Sequence, residues 1–408
     1  MHETKYLIIG GGLAGCEAIK GIRRHDTAGA ITMVGDEHRL PYNRPPLSKA
    51  FLKGEKTEDD CLCEPAEFYR ENNVKLYLGQ RVVELNAADQ SARLEDGREL
   101  TFGKALLATG GRALLPPLPG IDLPGVHALR TLDDAAAIRE AAQNHRKAVI
   151  VGGGFIGMEI SASLAGLGVE VVVIEAAGHL WPRVVDPEVA ALVGNYYRER
   201  GVSILTGEKV ARLEGDGRVS RATMQSGRQL ACDFAICAVG LKPNTELAEK
   251  AGLTVDNGVV VDAEMRTDSP HIFAAGDIAN YPDPHFAKRR RVEHWGQAEY
   301  TGGLAGENMA GAEREYDLLT YFWSEGFDLH YEFAGEEGEY DQVVLRGQFP
   351  DDDFAALYLS GHRLRAFLSL NPKKSTQSAL ETMISSKTPL AGREQELRRP
   401  DGDLASLL

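Results

Sequence analysis

Gly10-Gly11-Gly12-Leu13-Ala14-Gly15 follows the apolar run Tyr6-Leu7-Ile8-Ile9 and precedes a second run, Ile31-Thr32-Met33-Val34, that leads to Glu37. The same order returns as Ala148-Val149-Ile150-Val151, then Gly152-Gly153-Gly154-Phe155-Ile156-Gly157, then Val169 to Ile174 and Glu175. A strand, a tight glycine turn and a helix N-terminus together make a pyrophosphate site. Backbone N–H groups and the positive helix end face the phosphates, and the glycines let the ligand come close. The acidic residue then accepts a hydrogen bond from a ribose hydroxyl. One such motif says little alone. Two complete copies, 142 residues apart, imply two dinucleotides in one molecule and electrons passing between them.

The length of 408 residues suggests about three domains. Hydrophobic residues at 43% and charged residues at 26% are ordinary for a folded, water-soluble chain. No apolar run reaches bilayer length. The chain starts Met-His-Glu-Thr-Lys directly before a strand, with no recognisable signal peptide or anchor, so the cytoplasm is the expected compartment. Cys16, Cys61, Cys63, Cys232 and Cys237 form no C-x-x-C pair and no metal spacing, and no metal is expected. Cys61-Leu62-Cys63 is the one close pair and reads as two ordinary side chains rather than a redox pair. Cys16, Cys232 and Cys237 lie in apolar patterns and read as small core residues. A net charge of −15 argues against nucleic acid as a partner. Against it stands one basic run, Lys288-Arg289-Arg290-Arg291.

After the first β-α-β pattern, Pro41-Tyr42-Asn43-Arg44-Pro45-Pro46-Leu47-Ser48-Lys49 has three prolines in six residues, so it reads as a rigid extended loop that can run into a helix. Short alternating strands follow, and the buried strand Ala105 to Ala108 runs into Thr109-Gly110-Gly111. Prolines from Pro116 to Pro124 mark a linker. A second unit then repeats the plan until Phe234 to Val239 reaches Gly240. The chain next returns to the first unit's pattern through Ile272-Phe273-Ala274-Ala275-Gly276-Asp277. From about residue 321 a segment without a fingerprint reads as an antiparallel sheet (Tyr331 to Phe333, Gln342 to Leu345, Ala355 to Leu359, Leu364 to Ser369) and a helix from Thr376 to Ile384. The polar tail from Glu396 to Leu408 is expected to be loosely ordered. The expected fold is α/β: two Rossmann-like dinucleotide-binding domains, one inserted in the other, plus a C-terminal α+β domain. The boundaries are 1–115 with 240–320, then 116–239, then 321–408.

The ordered motifs resemble the two-domain flavoprotein reductases of the glutathione-reductase fold. Within them the chain looks most like the branch of ferredoxin, rubredoxin and putidaredoxin reductases and apoptosis-inducing-factor relatives. The likeness is carried by both fingerprints, Pro41-Tyr42-x-Arg44-Pro45-Pro46-Leu47-Ser48-Lys49, Ala108-Thr109-Gly110, Glu159, the Asp277 motif and Glu293-His294-Trp295. It implies FAD on the first fingerprint (Gly10, Gly12, Leu13, Ala14, Gly15), with Glu37 on the adenosine ribose and Asp277 on the ribityl and pyrophosphate region. Arg44, Lys49, Val82, Arg130 and Trp295 match positions lining the flavin or its adenosine end, and Ala108 and Gly240 join the cofactor-binding set. NADH falls to the second fingerprint (Gly152, Gly154, Phe155, Ile156, Gly157) with Glu175, and Arg183 contributes nearby or merely enters a helix. No Arg or Lys follows closely behind Glu175 to receive a 2′-phosphate, so NADH is expected over NADPH.

The resemblance makes Lys49 and Glu159 the catalytic pair, Lys49 being a cation that favours the electron-rich reduced flavin and orients the nicotinamide. Disulfide reductases of this fold carry a C-x4-C pair just after the first β-α-β unit, where this chain has Pro45-Pro46-Leu47-Ser48-Lys49. Electrons therefore leave the flavin directly, and the implied acceptor is a small iron–sulfur or rubredoxin-type protein. In a chain of net charge −15 the basic run either docks that acidic partner at Lys288, Arg289 and Arg290 or is a solvated face beside a structural Arg291. Tyr321-Phe322-Trp323-Ser324-Glu325-Gly326-Phe327-Asp328 departs from the branch's Trp-Ser-Asp-Gln motif, and Phe327-Asp328-Leu329 with Val343-Val344-Leu345-Arg346-Gly347 also looks like monodehydroascorbate reductase. Monodehydroascorbate or quinone reduction, or NADH sensing of the apoptosis-inducing-factor kind, stay open beside the first reading. Trp323 either lines an exit route for electrons or simply packs.

Overall fold

Apolar runs that lack alternation become strands covered on both faces, the usual state of a parallel sheet. Tyr6 to Ile9, ahead of the first fingerprint, are all buried. The computed structural model describes residues 2–336, 338 and 340–408. The chain divides into two compact units. One comprises residues up to Arg44, Glu58–Arg112 and Lys242–Leu318; the other comprises Pro45–Thr57, Ala113–Leu241 and Leu319–Leu408.

In the first unit the strand His2–Ile9 pairs in parallel with Ile31–Gly35 on one side and Glu99–Leu107 on the other, Ile9 lying opposite Val34 and Leu107. Val74–Leu78, Ser91–Leu94, Val82–Asn86 and Ile272–Ala274 complete a seven-stranded sheet. The helices Leu13–His25 and Trp295–Met309 pack closely on each other.

The second unit repeats the parallel core, in the order Val202–Thr206, Glu170–Glu175, Lys147–Val151, Phe234–Cys237, Val126–Ala128. Its C-terminal part is a five-stranded antiparallel sheet, with Tyr321–Gly326 at one edge as a strand that the sequence pattern did not reveal. Next come Leu329–Gly335, Arg363–Leu370, Ala355–Ser360 and Gln342–Arg346, with the helix Lys374–Ser385 packed on them. Its apolar face shares one core with the nucleotide-type sheet, so Phe333 and Leu368 are buried in the same cluster as Ile150 and Val173.

The tail differs from expectation. Glu394–Arg398 is helical, Leu404–Leu407 forms a 3-10 turn, and Leu397, Leu404 and Leu407 are buried. The reason is Arg346, 2% exposed, whose guanidinium donates to the carbonyls of Leu397, Arg399, Pro400 and Gly402. Its pKa is lowered by burial, yet a guanidinium stays charged and gathers backbone acceptors around it.

Candidate functional site: two glycine cradles and a buried lysine–glutamate pair

The two fingerprints have the same geometry. Gly10 sits at φ +129°, and a Cβ on it would lie 2.1 Å from the carbonyl oxygen of Ala108, at the end of the neighbouring strand. Gly152 sits at φ +107°, and its Cβ would lie 2.4 Å from Ala238 O. Only glycine meets both demands. Cβ atoms on Gly15 and Gly157 would strike the oxygens of Gly10 and Gly152 at 2.4 and 2.1 Å, which fixes how closely helix and strand approach. Gly12 and Gly154 are the helix N-caps; neither offers a side-chain cap, and a Cβ on either would meet nothing within 4 Å. Leu132–Asn144 is capped by the Thr131–Asp134 capping box, Pro187–Glu199 by Asp186 and Trp295–Met309 by His294. Lys374–Ser385 also lacks a side-chain cap but begins from Lys373 rather than from a glycine turn. Two uncapped N-termini facing open space, over helices that start Leu13-Ala14 and Phe155-Ile156, fit a pyrophosphate each.

In the first unit, Glu37 accepts from Tyr42 Oη at 2.7 Å and Arg44 Nη2 at 3.3 Å. Burial works against the Arg44 charge, but Tyr42, Glu37 and Asp277 outweigh it and its pKa is raised. The Asp277 carbonyl accepts from Arg291 at 2.9 Å. Trp295, the first residue of its helix, donates from Nε1 to Asn43 Oδ1 at 2.7 Å and so ties that helix to the proline-rich loop. Val82 and Ala108 are buried.

In the second unit, Glu175 accepts from the N–H groups of Gly153 at 2.7 Å and Ala177 at 2.8 Å. Ile156, though apolar, is 46% exposed on the first turn of its helix. Arg130 lies just before the Thr131 cap, its N–H donating to Asp134 at 2.9 Å. Arg183 is exposed, and Gly240 O accepts from Leu114 N at 2.9 Å.

Lys49 belongs to the same unit as Glu159, because Pro45–Thr57 groups with the second unit. The 3-10 turn Pro45–Ser48 delivers it, and Ser163 Oγ holds that turn through Ser48 O at 2.7 Å. Lys49 Nζ lies 3.0 Å from Glu159 Oε2, with side-chain exposures of 15% and 5%. Ser48 also donates to Oε2, and Ser324 donates to Oε1 at 2.7 Å. The Trp323 ring centroid is 5.0 Å from Lys49 Nζ and the ring stacks on His330 at 6.0 Å, so Trp323 packs against the pair rather than standing apart. In the sequence Ser48 is marked only by its place beside Lys49, and nothing marks Ser324.

The basic run is not a patch of four unpartnered charges. In the hairpin of Lys288–Arg290 with Ala279–Asp283, Arg289 donates to the carbonyls of Val261 and Asn280. Arg290 pairs with Asp283 at 3.2 Å in a buried setting, and Arg291 with Glu293 at 2.7 Å. Cys63 hydrogen-bonds to Cys16, which Tyr69 also approaches at 3.5 Å; Cys63 leads the causes that lower the Cys16 pKa. None of the five cysteines is in a disulfide. Among the described residues no group of three or more His, Cys, Asp or Glu is placed to hold a metal, and no helix is long and apolar enough to cross a membrane.

The family model for pyridine nucleotide-disulphide oxidoreductases matches residues 4–302, and that for the reductase C-terminal region matches 321–408. The chain is 38% identical to the probable ferredoxin reductase CtmF of Castellaniella defragrans, over 89% of this chain and 90% of that protein. It is similar to the crystal structure of the ferredoxin reductase for the CYP199A2 system from Rhodopseudomonas palustris, with TM-score 0.94, 30% identity and 99% of both chains covered. It is also similar to the reductase in the covalent putidaredoxin reductase–putidaredoxin complex, with TM-score 0.90, 32% identity and coverage of 95% of this chain and 94% of that one.

Proposed function

The chain belongs to the pyridine nucleotide-disulphide oxidoreductase family, and we propose that within it the protein is an NADH-dependent FAD reductase serving a small iron–sulfur or rubredoxin-type acceptor. One observation carries the reading most directly: two similar glycine cradles, each with an uncapped helix N-terminus, stand in a chain whose Pro45–Lys49 stretch supplies a lysine and no cysteine. In this reading FAD is held by residues 1–115 and 240–320, NADH by 116–239, and residues 321–408 form the C-terminal domain. When bound, FAD supplies the exchange between a two-electron hydride donor and one-electron acceptors.

The residues do the rest. Leu13 and Phe155 begin the helices whose N–H groups receive the phosphates, and Glu37 and Glu175 stand ready for ribose hydroxyls. Lys49 offers positive charge where electron density grows, an interaction stronger in the transition state than before it. Its pairing with a buried carboxylate holds the ammonium in one place. The ferredoxin and putidaredoxin reductases among the relatives support an iron–sulfur acceptor over monodehydroascorbate or NADH sensing. Five cysteines without a disulfide suit a reducing compartment, and the reading places the protein in the cytoplasm.

The test is anaerobic. NADH is added to the flavinated protein, then a [2Fe–2S] ferredoxin and cytochrome c. Rapid bleaching followed by ferredoxin-dependent cytochrome reduction is expected. A long-lived reduced flavin that ferredoxin and rubredoxin both fail to reoxidise would overturn the reading.

A further inference from the structure

Three successive residues of the strand Tyr321–Gly326 reach the lysine–glutamate pair and the helix that carries it. Phe322 packs edge-on against Phe155, the first residue of the Glu159 helix, at 5.0 Å. Trp323 sets its ring 5.0 Å from Lys49 Nζ. Ser324, 3% exposed, donates to the Glu159 oxygen that Lys49 does not use, at 2.7 Å. Antiparallel pairing fixes the strand itself, with Trp323 opposite Glu332 and Ser324 opposite Tyr331, and His330 backs the indole.

We propose that Ser324 and Trp323 are positioning residues for Lys49. The C-terminal domain thereby sets the rate of hydride transfer, although it carries no fingerprint. The inference rests on the reading of Lys49 given above. Lysine has a flexible four-carbon stem and a compact charge, so its position is defined by what surrounds the ammonium. Glu159 defines it only if the carboxylate itself cannot turn. Ser48 and Lys49 hold one carboxylate oxygen and Ser324 holds the other. Without the Ser324 hydroxyl, Oε1 loses this donor in a buried setting, the carboxylate rotates to recover one, and Lys49 follows it. Trp323 closes the remaining side through attraction between ammonium and ring face.

The experiment compares Ser324→Ala, Ser324→Thr, Trp323→Phe and Lys49→Met, each flavinated, by stopped-flow reduction with NADH. Ser324→Ala is expected to lower the limiting rate about tenfold with the NADH Kd unchanged, since small misplacements of reacting groups cost rate rather than affinity. Ser324→Thr keeps a hydroxyl and restores the rate. A second readout needs no turnover: pulse acetylation with an N-hydroxysuccinimidyl ester, read by peptide mass, is expected to modify Lys49 several-fold faster in Ser324→Ala and Trp323→Phe, with Lys53 as the unchanged control. If Ser324→Ala does not fold, Trp323→Phe decides on both readouts. Wild-type reduction and acetylation in the variants, with Lys49→Met slow, overturns the positioning role alone. Wild-type speed in Lys49→Met overturns the reading of Lys49, and this proposal with it.

Discussion

Glu175 accepts two backbone N–H groups, so its charge is held in place by the fingerprint loop itself. A 2′-phosphate there meets a fixed carboxylate, and NADH should exceed NADPH in kcat/KM by about 100-fold or more. Glu175→Ala is expected to bring the ratio toward one and to lower NADH efficiency too, because the Gly153 N–H loses its acceptor. Flavin reduction with each nucleotide measures this, and an unchanged ratio refutes it. His330 gives a pH-dependent residue. Hydrogen bonds to Glu325 and Glu332 raise its pKa from 6.5 to about 9. A raised histidine adds stability that is full below the unfolded pKa near 6.5 and is lost as pH climbs through about 9. With the side chain 36% exposed, solvent screening keeps the contribution below about 1 kcal/mol. His330→Gln should therefore melt below wild type at pH 6 and with it at pH 10; an equal gap at both pH values would sink the assignment.

Elements decide what a charged run becomes. Lys288 to Arg291 reads as a solvated basic face, yet the hairpin turns Arg290 inward onto Asp283, whose side chain is 0% exposed. Arg290→Gln leaves that carboxylate buried without its cation and should destabilise the protein by about 3 kcal/mol. Chemical denaturation with an unchanged midpoint would show the pair is immaterial. Lys288 is exposed on the same hairpin, so Lys288→Gln, which leaves the Arg290–Asp283 pair in place, is the cleaner substitution for testing acceptor docking by salt dependence. The tail follows the same logic in reverse. Arg346→Met removes the donor shared by four carbonyls between Leu397 and Gly402, and limited proteolysis should then cut within that stretch. A protease pattern identical to wild type would mean that Leu397 and Leu404 alone hold the tail.

At the scale of the whole molecule, two similar cradles are proposed for different cofactors, and matched substitutions separate them. Gly10→Ala, whose Cβ would fall 2.1 Å from Ala108 O, should yield protein without yellow colour. Gly152→Ala should stay yellow, with one FAD per chain, but resist bleaching by NADH. Absorbance at the flavin band before and after NADH decides, and the same phenotype in both variants would reject the division of roles.

The fingerprints were legible because their physics is local. Six residues and one flanking strand dictate where a side chain is impossible and where N–H groups lack a cap, so both cradles and the parallel sheets followed from order along the chain alone. Lys49 and Glu159 were legible only through resemblance, since 110 positions separate them and no periodicity links them. Contacts made by folding were not legible at all. Ser324 meets Glu159 from 165 residues away, Cys63 meets Cys16 of the first fingerprint helix, and Arg346 orders a tail whose polar composition suggests none. Each is a polar or thiol group whose partner is chosen by which surfaces pack together. Sequence by itself determined the two glycine cradles; only the tertiary structure decided which side chains hold the lysine between Glu159 and Trp323, because a hydrogen bond across packed elements leaves no pattern in the chain that makes it.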